Sequence, residues 1–181
     1  MEIQPNAALL LVDVQNGFDD PYFGKRNNPG AEANIGRLLG AWTATGRPVV
    51  RVLHVSVRPG SPLGPGDTFK PVVAAAAPVL EITKSVHSSF LGTPDLRAWL
   101  DAAGVRQVVI TGIQTNRCCE TTARMAGDLG YDVLFALDAT YTFDEGDLTA
   151  DQFAAVTAQN IHGHFGRVVT AAEVVTAATA G

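Results

Sequence analysis

Short apolar runs alternate along the chain with longer segments in which apolar residues recur at helical spacing. The run at residues 7–12 is apolar throughout and too short for most helices, so it predicts a strand that is buried on both faces. Similar runs predict five further strands, at residues 49–57, 79–83, 105–113, 133–137 and 168–175. Helical spacing predicts helices between them, at residues 31–45, 72–77, 94–103, 118–129 and 148–162. In the third of these helices Pro94 takes an early helical position.

This alternation predicts the architecture of the chain. Strands that alternate with helices of about 10–15 residues indicate an α/β fold, with a parallel sheet and crossover helices on both faces. The 181 residues contain no repeat, low-complexity tract or linker, so we expect one domain over residues 1–181. In such folds ligands bind beyond the carboxyl ends of the strands. Three places at these ends are therefore candidates for a site: Asp13, Lys84 and the segment 111–118.

Composition and charge exclude several classes of function. Apolar residues make up 46% of the chain, which argues against disorder. The net charge is −5 and no basic cluster is longer than Lys25-Arg26, so we expect no nucleic-acid partner and no membrane partner. No apolar run approaches the ~20 residues needed to span a bilayer. The first residues lack the positive segment of a signal peptide, and we therefore expect a cytoplasmic protein.

Asp13 and Lys84 follow the first and third predicted strands directly. Asp13 could serve a site at the strand ends, or it could cap the turn-like segment Gln15-Asn16-Gly17. Lys84 could likewise be functional, or it could be an exposed lysine of the usual kind. Position alone leaves both alternatives open for each residue.

The two cysteines of the chain, Cys118 and Cys119, are adjacent, so they form no disulfide framework. Thr115 or Asn116 can cap a helix that starts near Arg117, which places a cysteine in the first helical turn. There the helix dipole lowers the pKa of a thiol, and free backbone N–H groups can bind an oxyanion. Either cysteine could instead be a small buried side chain. Helical spacing does not choose between them, but Cys118 lies nearer the loop and is the better candidate.

The sequence offers little for a metal or a nucleotide cofactor. Its histidines are scattered, and no cysteine or carboxylate lies beside them at ligand spacing: His54, His87, His162 and His164. The segment after the first strand has neither a G-x-G-x-x-G nor a G-x-x-x-x-G-K pattern, and the chain has no G-x-S-x-G motif. We therefore expect no metal and no cofactor.

Three motifs, in order and at plausible spacing, carry a resemblance to a known family. They are Leu11-Val12-Asp13-Val14-Gln15, then residues 84–96, then T-G-I-x-T-N-x-C-x-x-T-T-A-R at residues 111–124. The second motif matches the pattern K-S-x-x-S-x-F-x-G-T-x-L, with one additional residue before the leucine. An Asp138-Ala139 pair follows. Over almost its whole length the chain resembles the isochorismatase-like cysteine hydrolase superfamily. The resemblance implies a three-layer α/β/α, Rossmann-like fold with a six-stranded parallel sheet.

The resemblance also implies a catalytic triad of Asp13, Lys84 and Cys118. In that mechanism the Cys118 thiolate attacks a carbonyl carbon, and Asp13 takes the thiol proton. Lys84 favours the ionised forms of both groups. The backbone N–H groups of Gln114 and Cys118 bind the oxyanion. Relatives bring the first of these groups into place with a cis peptide, and the matching bond here is Ile113-Gln114.

The implied reaction is hydrolysis of a C–N bond in a small amide, ureide, lactam or carbamoyl compound, through a thioester intermediate. Besides this small-molecule substrate, the resemblance implies further copies of the chain as partners, in a homo-oligomer that is a dimer or a tetramer. Aromatic residues near the strand ends are candidates for lining the substrate pocket, with core packing as the alternative for each: Phe18, Tyr22, Phe23, Phe90, Tyr141 and Phe143.

Other functions stay open at this point. The metal signature of nicotinamidases, Asp-x-His plus another His after strand two, is absent, which argues against that activity. Isochorismatases that cleave a vinyl ether commonly lack the nucleophilic cysteine, so Cys118 favours an amide. Vinyl ether hydrolysis remains the alternative, as does a non-catalytic ligand-binding protein of the family. A phosphatase with Asp13 as nucleophile needs a second acid two residues on, where the chain has Gln15. Cys119, at a position that is often aliphatic in the family, is interpreted as core filler.

Overall fold

Six strands form one parallel sheet in the computed structural model, which describes residues 1–180. They are β1 (Ala8–Val12), β2 (Val49–His54), β3 (Leu80–Lys84), β4 (Gln107–Ile113), β5 (Asp132–Tyr141) and β6 (Arg167–Val169). Their order across the sheet is β3-β2-β1-β4-β5-β6, and every neighbouring pair is parallel. This confirms the predicted α/β class and the six-stranded parallel sheet. The strand order reverses between β1 and β4, and at such a point a crevice opens at the carboxyl ends of the strands.

Helices cover both faces of this sheet and complete three layers. One face carries α1 (Ala31–Ala44), α2 (Pro71–Ala74) and α6 (Ala171–Thr179), and the other carries α3 (Leu96–Ala102), α4 (Glu120–Asp128) and α5 (Ala150–Ile161). Shorter turns of 3-10 helix occur at Asn16–Asp19, Pro21–Phe23 and Ser89–Leu91, and a π-helical turn occurs at Thr115–Cys119. Across the described residues, no helix combines the length and the apolar character that a bilayer crossing requires.

Successive side chains of β1 point to opposite faces of the sheet and pack into a separate core on each face. Leu10 and Val12 pack with the side chains of α3 and α4, whereas Leu9 and Leu11 pack beneath α1. All four side chains are completely shielded from solvent. A strand that is covered on both faces needs an apolar residue at every position, which explains the continuous run at residues 7–12.

The predicted sixth strand at residues 168–175 is wrong in its second half. β6 ends at Val169, and α6 begins at Ala171. Thr170 caps this helix, because its side chain accepts from the N–H of Glu173 while the Glu173 carboxylate accepts from the N–H of Thr170. The Thr-x-x-Glu pattern of such a capping box is present in the sequence and is a stronger signal than the β-branched residues after it.

Pro94 lies before α3 and not inside it, in contrast to the prediction. The side chain of Asp95 accepts a hydrogen bond from the N–H of Ala98 at 3.0 Å and so caps the helix, whose first residue is Leu96. β5 is also longer than predicted, because it continues to Tyr141 and pairs there with β4.

Candidate active site

Asp13, Lys84 and Cys118 converge at the carboxyl ends of β1, β3 and β4. Nζ of Lys84 lies 2.6 Å from Oδ2 of Asp13, and both side chains are fully buried. Sγ of Cys118 lies within 4.8 Å of a carboxylate oxygen of Asp13. The sheet thus brings together three residues that are far apart along the chain, because parallel strands end at the same edge.

Asp13 leaves β1 in a left-handed backbone conformation, with a φ of 51°. Aspartate is one of the few residues apart from glycine that adopt this conformation readily. Its N–H donates to the carbonyl of Val52 at 3.0 Å, so the turn begins directly after the sheet ladder. One carboxylate oxygen binds Lys84, whereas the other, Oδ1, is buried without a hydrogen-bond donor among residues 1–180. Oδ1 is therefore free to accept a proton from a group in the site.

Lys84 is the last residue of β3, and its ammonium contacts both Asp13 and His54. Nζ is 3.3 Å from Nδ1 of His54. Because an ammonium can only donate, Nδ1 is the acceptor and the imidazole proton lies on Nε2. Burial lowers the pKa of His54, and the charge of Lys84 lowers it further. Burial alone would lower the pKa of Lys84 too, but Asp13 and Cys118 together outweigh it and raise that pKa. At neutral pH Lys84 is charged and His54 is neutral.

Cys118 lies in the π-helical turn Thr115–Cys119, directly before α4. The thiol is buried, and its Sγ is 3.6 Å from Nδ1 of His87. Burial raises the pKa of Cys118 and the Asp13 carboxylate raises it further, while Lys84 acts in the opposite direction. This differs from the lowered pKa expected in a first helical turn, because burial beside an anion disfavours the thiolate. The thiol therefore keeps its proton in the resting state.

The two adjacent thiols have different surroundings. Cys119 is fully buried in the core beneath α4, together with Ala123 and Ala126. Cys118 lines a cavity. The fold thus distinguishes two residues that helical spacing alone does not.

Gln114 connects β4 to the turn that carries Cys118. The peptide bond Ile113-Gln114 is cis, as the family resemblance led us to expect. The carbonyl of Gln114 accepts from the N–H groups of Arg117 and Cys119, at 3.2 and 3.1 Å, which closes the turn. Its own N–H donates to no backbone carbonyl of residues 1–180, and Gln114 lines the same cavity as Cys118. That the N–H groups of Gln114 and Cys118 bind an oxyanion stays a prediction.

Side-chain hydrogen bonds hold the motifs in place. Gln15 donates from Nε2 to the carbonyl of His54 at 3.0 Å and accepts from its N–H at 2.7 Å, which fixes the end of β2 beside β1. The N–H of Ser89 donates to Oγ1 of Thr122 at 3.1 Å and ties the segment after Lys84 to α4. Gln15 therefore has a structural role at the position where the phosphatase alternative needs a second acid.

A cavity of about 280 Å³ opens onto Cys118. Three of the predicted pocket residues, Phe18, Tyr22 and Phe23, line it. Phe143 lines an adjoining cavity of about 360 Å³. The aromatic rings of the first two turns after β1 therefore form one wall of the space above the thiol.

Phe90 and Tyr141 lie elsewhere, contrary to the prediction that they line the pocket. Phe90 is part of the core beneath α3 and stacks on Tyr131, with ring centroids 5.8 Å apart. Tyr141 is fully buried, and the guanidinium of Arg26 lies 3.5 Å from its ring centroid. Both rings are occupied by packing contacts, because proximity to a strand end does not decide which way a side chain points.

Several further cavity residues were not among the predicted pocket residues, and three of them bear on the chemistry of the site. Arg58, His87 and Arg117 line the cavity together with Cys118. Arg117 directly precedes Cys118, and His87 follows Lys84 within the same motif, so the sequence places both beside the triad. Arg58 lies in the proline-rich loop after β2. Because ligands bind beyond the carboxyl ends of the strands, a search that included the loop after β2 could have predicted Arg58 as a cavity residue.

Within residues 1–180, one group of side chains has the spacing of a metal site. It consists of Asp13, His54 and Cys118, whose ligand atoms lie within 4.8 Å of one another. Such donors are those of zinc sites. The ammonium of Lys84, however, contacts both Asp13 and His54, so a divalent cation here would face a buried positive charge. The expectation of a metal-free site stays a prediction.

Comparison with known proteins identifies the family. The family model described as the isochorismatase domain matches residues 7–173. The isochorismatase family protein YrdC of Bacillus subtilis (strain 168) is 37% identical, over 96% of this chain and 96% of its own length. A crystal structure from Chromobacterium violaceum ATCC 12472, assigned to the isochorismatase family, covers 100% of this chain and 98% of its own, with 37% identity and a TM-score of 0.94.

Other similar proteins bear the names of activities. Nicotinamidase 3 of Arabidopsis thaliana is 30% identical over 77% of this chain and 75% of its own length. Ureidoacrylate amidohydrolase RutB of Enterobacter sp. (strain 638) is 30% identical over 92% of this chain and 67% of its own length. The structure of a cysteine hydrolase from Pseudomonas syringae pv. phaseolicola 1448A is 25% identical and covers 99% of this chain and 96% of its own, with a TM-score of 0.87. The chain therefore belongs to the isochorismatase family of hydrolases.

Proposed function

We propose that this protein is a cysteine-dependent amidohydrolase, which cleaves the C–N bond of a small amide, ureide, lactam or carbamoyl compound through a thioester. One observation carries the proposal: Asp13 contacts Lys84 through Oδ2, keeps Oδ1 free, and has a carboxylate oxygen within 4.8 Å of the thiol of Cys118. A nucleophile, a proton acceptor and a fixed positive charge are the groups that such a reaction needs.

In the first half-reaction a substrate carbonyl enters the cavity beside Cys118. Oδ1 of Asp13 takes the Sγ proton as sulfur bonds to the carbonyl carbon, and the carbonyl oxygen becomes an oxyanion. The N–H groups of Gln114 and Cys118 donate to this oxyanion. Asp13 then passes its proton to the substrate nitrogen, and the C–N bond breaks. Ammonia or an amine departs from the thioester, whereas the amine of an opened lactam stays attached to it.

In the second half-reaction Asp13 accepts a proton from water, whose oxygen attacks the thioester carbon. The second tetrahedral intermediate collapses, the C–S bond breaks, and the carboxylic acid is released. Sulfur departs as the thiolate and recovers the proton that Asp13 holds. The site returns to a protonated Cys118 beside an anionic Asp13.

The charges around Cys118 support this order of proton transfers. A thiol whose pKa is raised by burial and by Asp13 is protonated at rest, which is the state from which the first step starts. The Lys84 ammonium stabilises the carboxylate before the transfer and the thiolate after it, because it interacts with both. Burial and the charge of Lys84 lower the pKa of His87, so a neutral imidazole lies 3.6 Å from the sulfur.

The names of two relatives support the cleavage of an amide-type C–N bond. A nicotinamidase and a ureidoacrylate amidohydrolase, as those names state, act on amide-type C–N bonds. Vinyl ether hydrolysis and a non-catalytic binding role are the alternatives, and neither requires a nucleophilic thiol. The position of Cys118 beside the carboxylate of Asp13, which has one free oxygen, favours the amide.

A release assay over panels of small amides, ureides, lactams and carbamoyl compounds tests the proposal. Ammonia is measured for the open-chain compounds, and ring opening is followed by chromatography for the lactams. We expect turnover by the wild-type protein, none by Cys118→Ala, and an acyl adduct on the peptide that contains Cys118 after an acid quench. Cleavage of isochorismate without cleavage of any C–N bond, or full activity of Cys118→Ala, would contradict the proposal.

A further inference from the structure

The cavity beside Cys118 is lined by positive charge, although the whole protein carries a net charge of −5. Arg58 and Arg117 line it, and none of its lining residues within 1–180 is an aspartate or a glutamate. The nearby carboxylate of Asp13 is matched by the buried ammonium of Lys84. A cleft that is lined by one sign of charge concentrates ligands of the opposite sign.

The two arginines differ in their partners. Nη2 of Arg117 lies 2.5 Å from Oε2 of Glu145, which lines the adjoining cavity, so the charge of Arg117 is already paired. Arg58 has no carboxylate of residues 1–180 within 4.0 Å of its guanidinium. Its Nη1 donates to the hydroxyl of Tyr22 at 3.0 Å. Since a guanidinium has five N–H donors, Arg58 has most of them available for a ligand.

The loop that carries Arg58 is attached to the site. The N–H of Val55 donates to the carbonyl of Lys84 at 2.8 Å, and the N–H of Ser56 donates to the carbonyl of Leu63 at 2.8 Å. Arg58 lines both the cavity at Cys118 and the adjoining cavity, so it stands where the two meet. A bound molecule that reaches the thiol at one end can therefore reach this guanidinium at the other.

We propose that Arg58 binds a carboxylate of the substrate while Cys118 attacks the amide carbonyl of the same molecule. The preferred substrate is a small amide or ureide that also carries a carboxylate. A guanidinium suits this ligand because its planar fork donates two parallel hydrogen bonds to the two carboxylate oxygens. The inference rests on the proposed function for the reacting end of the substrate and adds the chemistry of its other end.

Three amides with the same two-methylene spacer test this assignment. Succinamate carries a carboxylate, succinamide a neutral carboxamide and β-alaninamide an ammonium group. Turnover is measured as kcat/KM for ammonia release by the wild-type protein, Arg58→Gln and Arg97→Gln. Arg97 lies on α3, is more than half exposed and pairs with Asp101 at 3.7 Å, so its substitution removes the same charge outside the cavity lining. Binding is measured separately by calorimetry with Cys118→Ala, alone and combined with Arg58→Gln.

We expect the wild-type and Arg97→Gln proteins to prefer succinamate over succinamide at least tenfold, with β-alaninamide poorest. Arg58→Gln loses this preference in both measurements. A tenfold difference corresponds to about 1.4 kcal/mol, close to what one charge-assisted hydrogen bond contributes.

The outcomes separate this inference from the proposed reaction. Tighter binding of succinamate without hydrolysis of any amide supports the carboxylate site and contradicts the amidohydrolase. Turnover of the amides without a preference for succinamate supports the amidohydrolase and overturns the role of Arg58. No binding of succinamate, or a preference that survives Arg58→Gln, overturns that role as well.

Discussion

Nζ of Lys84 contacts Oδ2 of Asp13 at 2.6 Å, and solvent reaches neither side chain. An intact buried ion pair of this kind contributes little net stability, because the desolvation of both groups offsets their attraction. Removal of one partner leaves the other as an uncompensated buried charge, which costs about 3–5 kcal/mol. Asp13 and Lys84 thus affect both the stability of the fold and the proposed chemistry, and substitutions can separate the two effects.

Asp13→Asn should abolish hydrolysis and also destabilise the protein. The amide cannot accept the thiol proton, and Lys84 loses its counter-charge, so we expect the free energy of unfolding to fall by about 3–5 kcal/mol. Asp13→Asn combined with Lys84→Met should regain most of that stability and none of the activity. Urea unfolding and ammonia release measure the two effects, and near-normal turnover of Asp13→Asn would remove Asp13 from the mechanism.

Cys118→Ala and Cys119→Ala form a matched pair of variants. Cys118→Ala removes the proposed nucleophile, and we expect kcat to fall by several orders of magnitude. Cys119→Ala removes a sulfur atom from a closed core, at a cost of about 1 kcal/mol in stability, and keeps most of the activity. Steady-state kinetics and thermal unfolding compare them. The opposite pattern would assign the nucleophile to Cys119.

Gly112→Ala should disrupt the site, because the added methyl group would collide with the backbone of β1. Gly112 has a φ of 129°, and a Cβ there would lie 1.9 Å from the carbonyl oxygen of Val12. Neither strand can yield without moving Asp13 or Gln114, so we expect lost activity and a lower Tm.

The matched control for Gly112→Ala is Gly40→Ala in α1. A Cβ at Gly40 meets nothing within 4 Å, and alanine favours a helix over glycine by about 0.5–1 kcal/mol. This variant should be active and equally or more stable than the wild type. Equal Tm values for the two alanine variants would contradict the close approach of β1 and β4.

Acid should destabilise the protein through His54. Burial and the charge of Lys84 hold the pKa of His54 below its unfolded value of about 6.5. As the pH falls through about 6.5, His54 therefore binds a proton in the unfolded chain before it does so in the folded chain. This protonation lowers the free energy of unfolding below that pH and has no effect well above it. His87 acts in the same direction, because burial and Lys84 lower its pKa as well.

Two histidine variants test this dependence. His54→Gln retains an acceptor for Lys84 but cannot titrate, so the decrease of Tm between about pH 7 and pH 5 should become shallower. The control is His164→Gln, at an exposed position, which should keep the wild-type slope. An unchanged slope in His54→Gln would contradict a lowered pKa at that residue.

Chelators should leave the activity unchanged. Lys84 already supplies the positive charge beside Asp13 and His54, and it competes electrostatically with any divalent cation there. Dialysis against EDTA or 1,10-phenanthroline, followed by kinetics and metal analysis, checks this expectation. Loss of activity that added Zn²⁺ restores would instead make Asp13, His54 and Cys118 a metal site.

The sheet and the place where the candidate residues meet were predictable for one physical reason each. Burial on both faces makes a strand such as β1 apolar throughout, so the strands of the sheet can be recognised in the sequence. Parallel strands end at a common edge, so Asp13, Lys84 and the segment 111–118 could be expected together. The catalytic triad of Asp13, Lys84 and Cys118 was implied by the family resemblance and stays a prediction. The single domain, the homo-oligomer and the cytoplasmic location stay predictions.

The lining of the cavity was predictable only in part, because it depends on contacts that are remote in sequence. The loop that carries Arg58 takes its path from hydrogen bonds such as that of the Asn16 N–H to the Thr68 carbonyl, at 2.8 Å. Phe90 and Tyr141 point into the core because of neighbours that no local pattern reveals. The capping box of α6, in contrast, is present in the sequence, but the β-branched residues after it led to the prediction of a strand.

The contact between Lys84 and Asp13 joins residues 71 positions apart, and it spans β2, which lies between their strands. Such a contact requires the closure of a long loop, so we expect the site to form only once the central strands have paired during folding. We expect the contact to survive the opening of a surface helix that carries neither residue, and to be lost on global unfolding. A ligand of the site therefore stabilises the chain as a whole. The amides of β1 that exchange most slowly with solvent should slow further, by a factor of one plus the ratio of the free ligand concentration to its Kd.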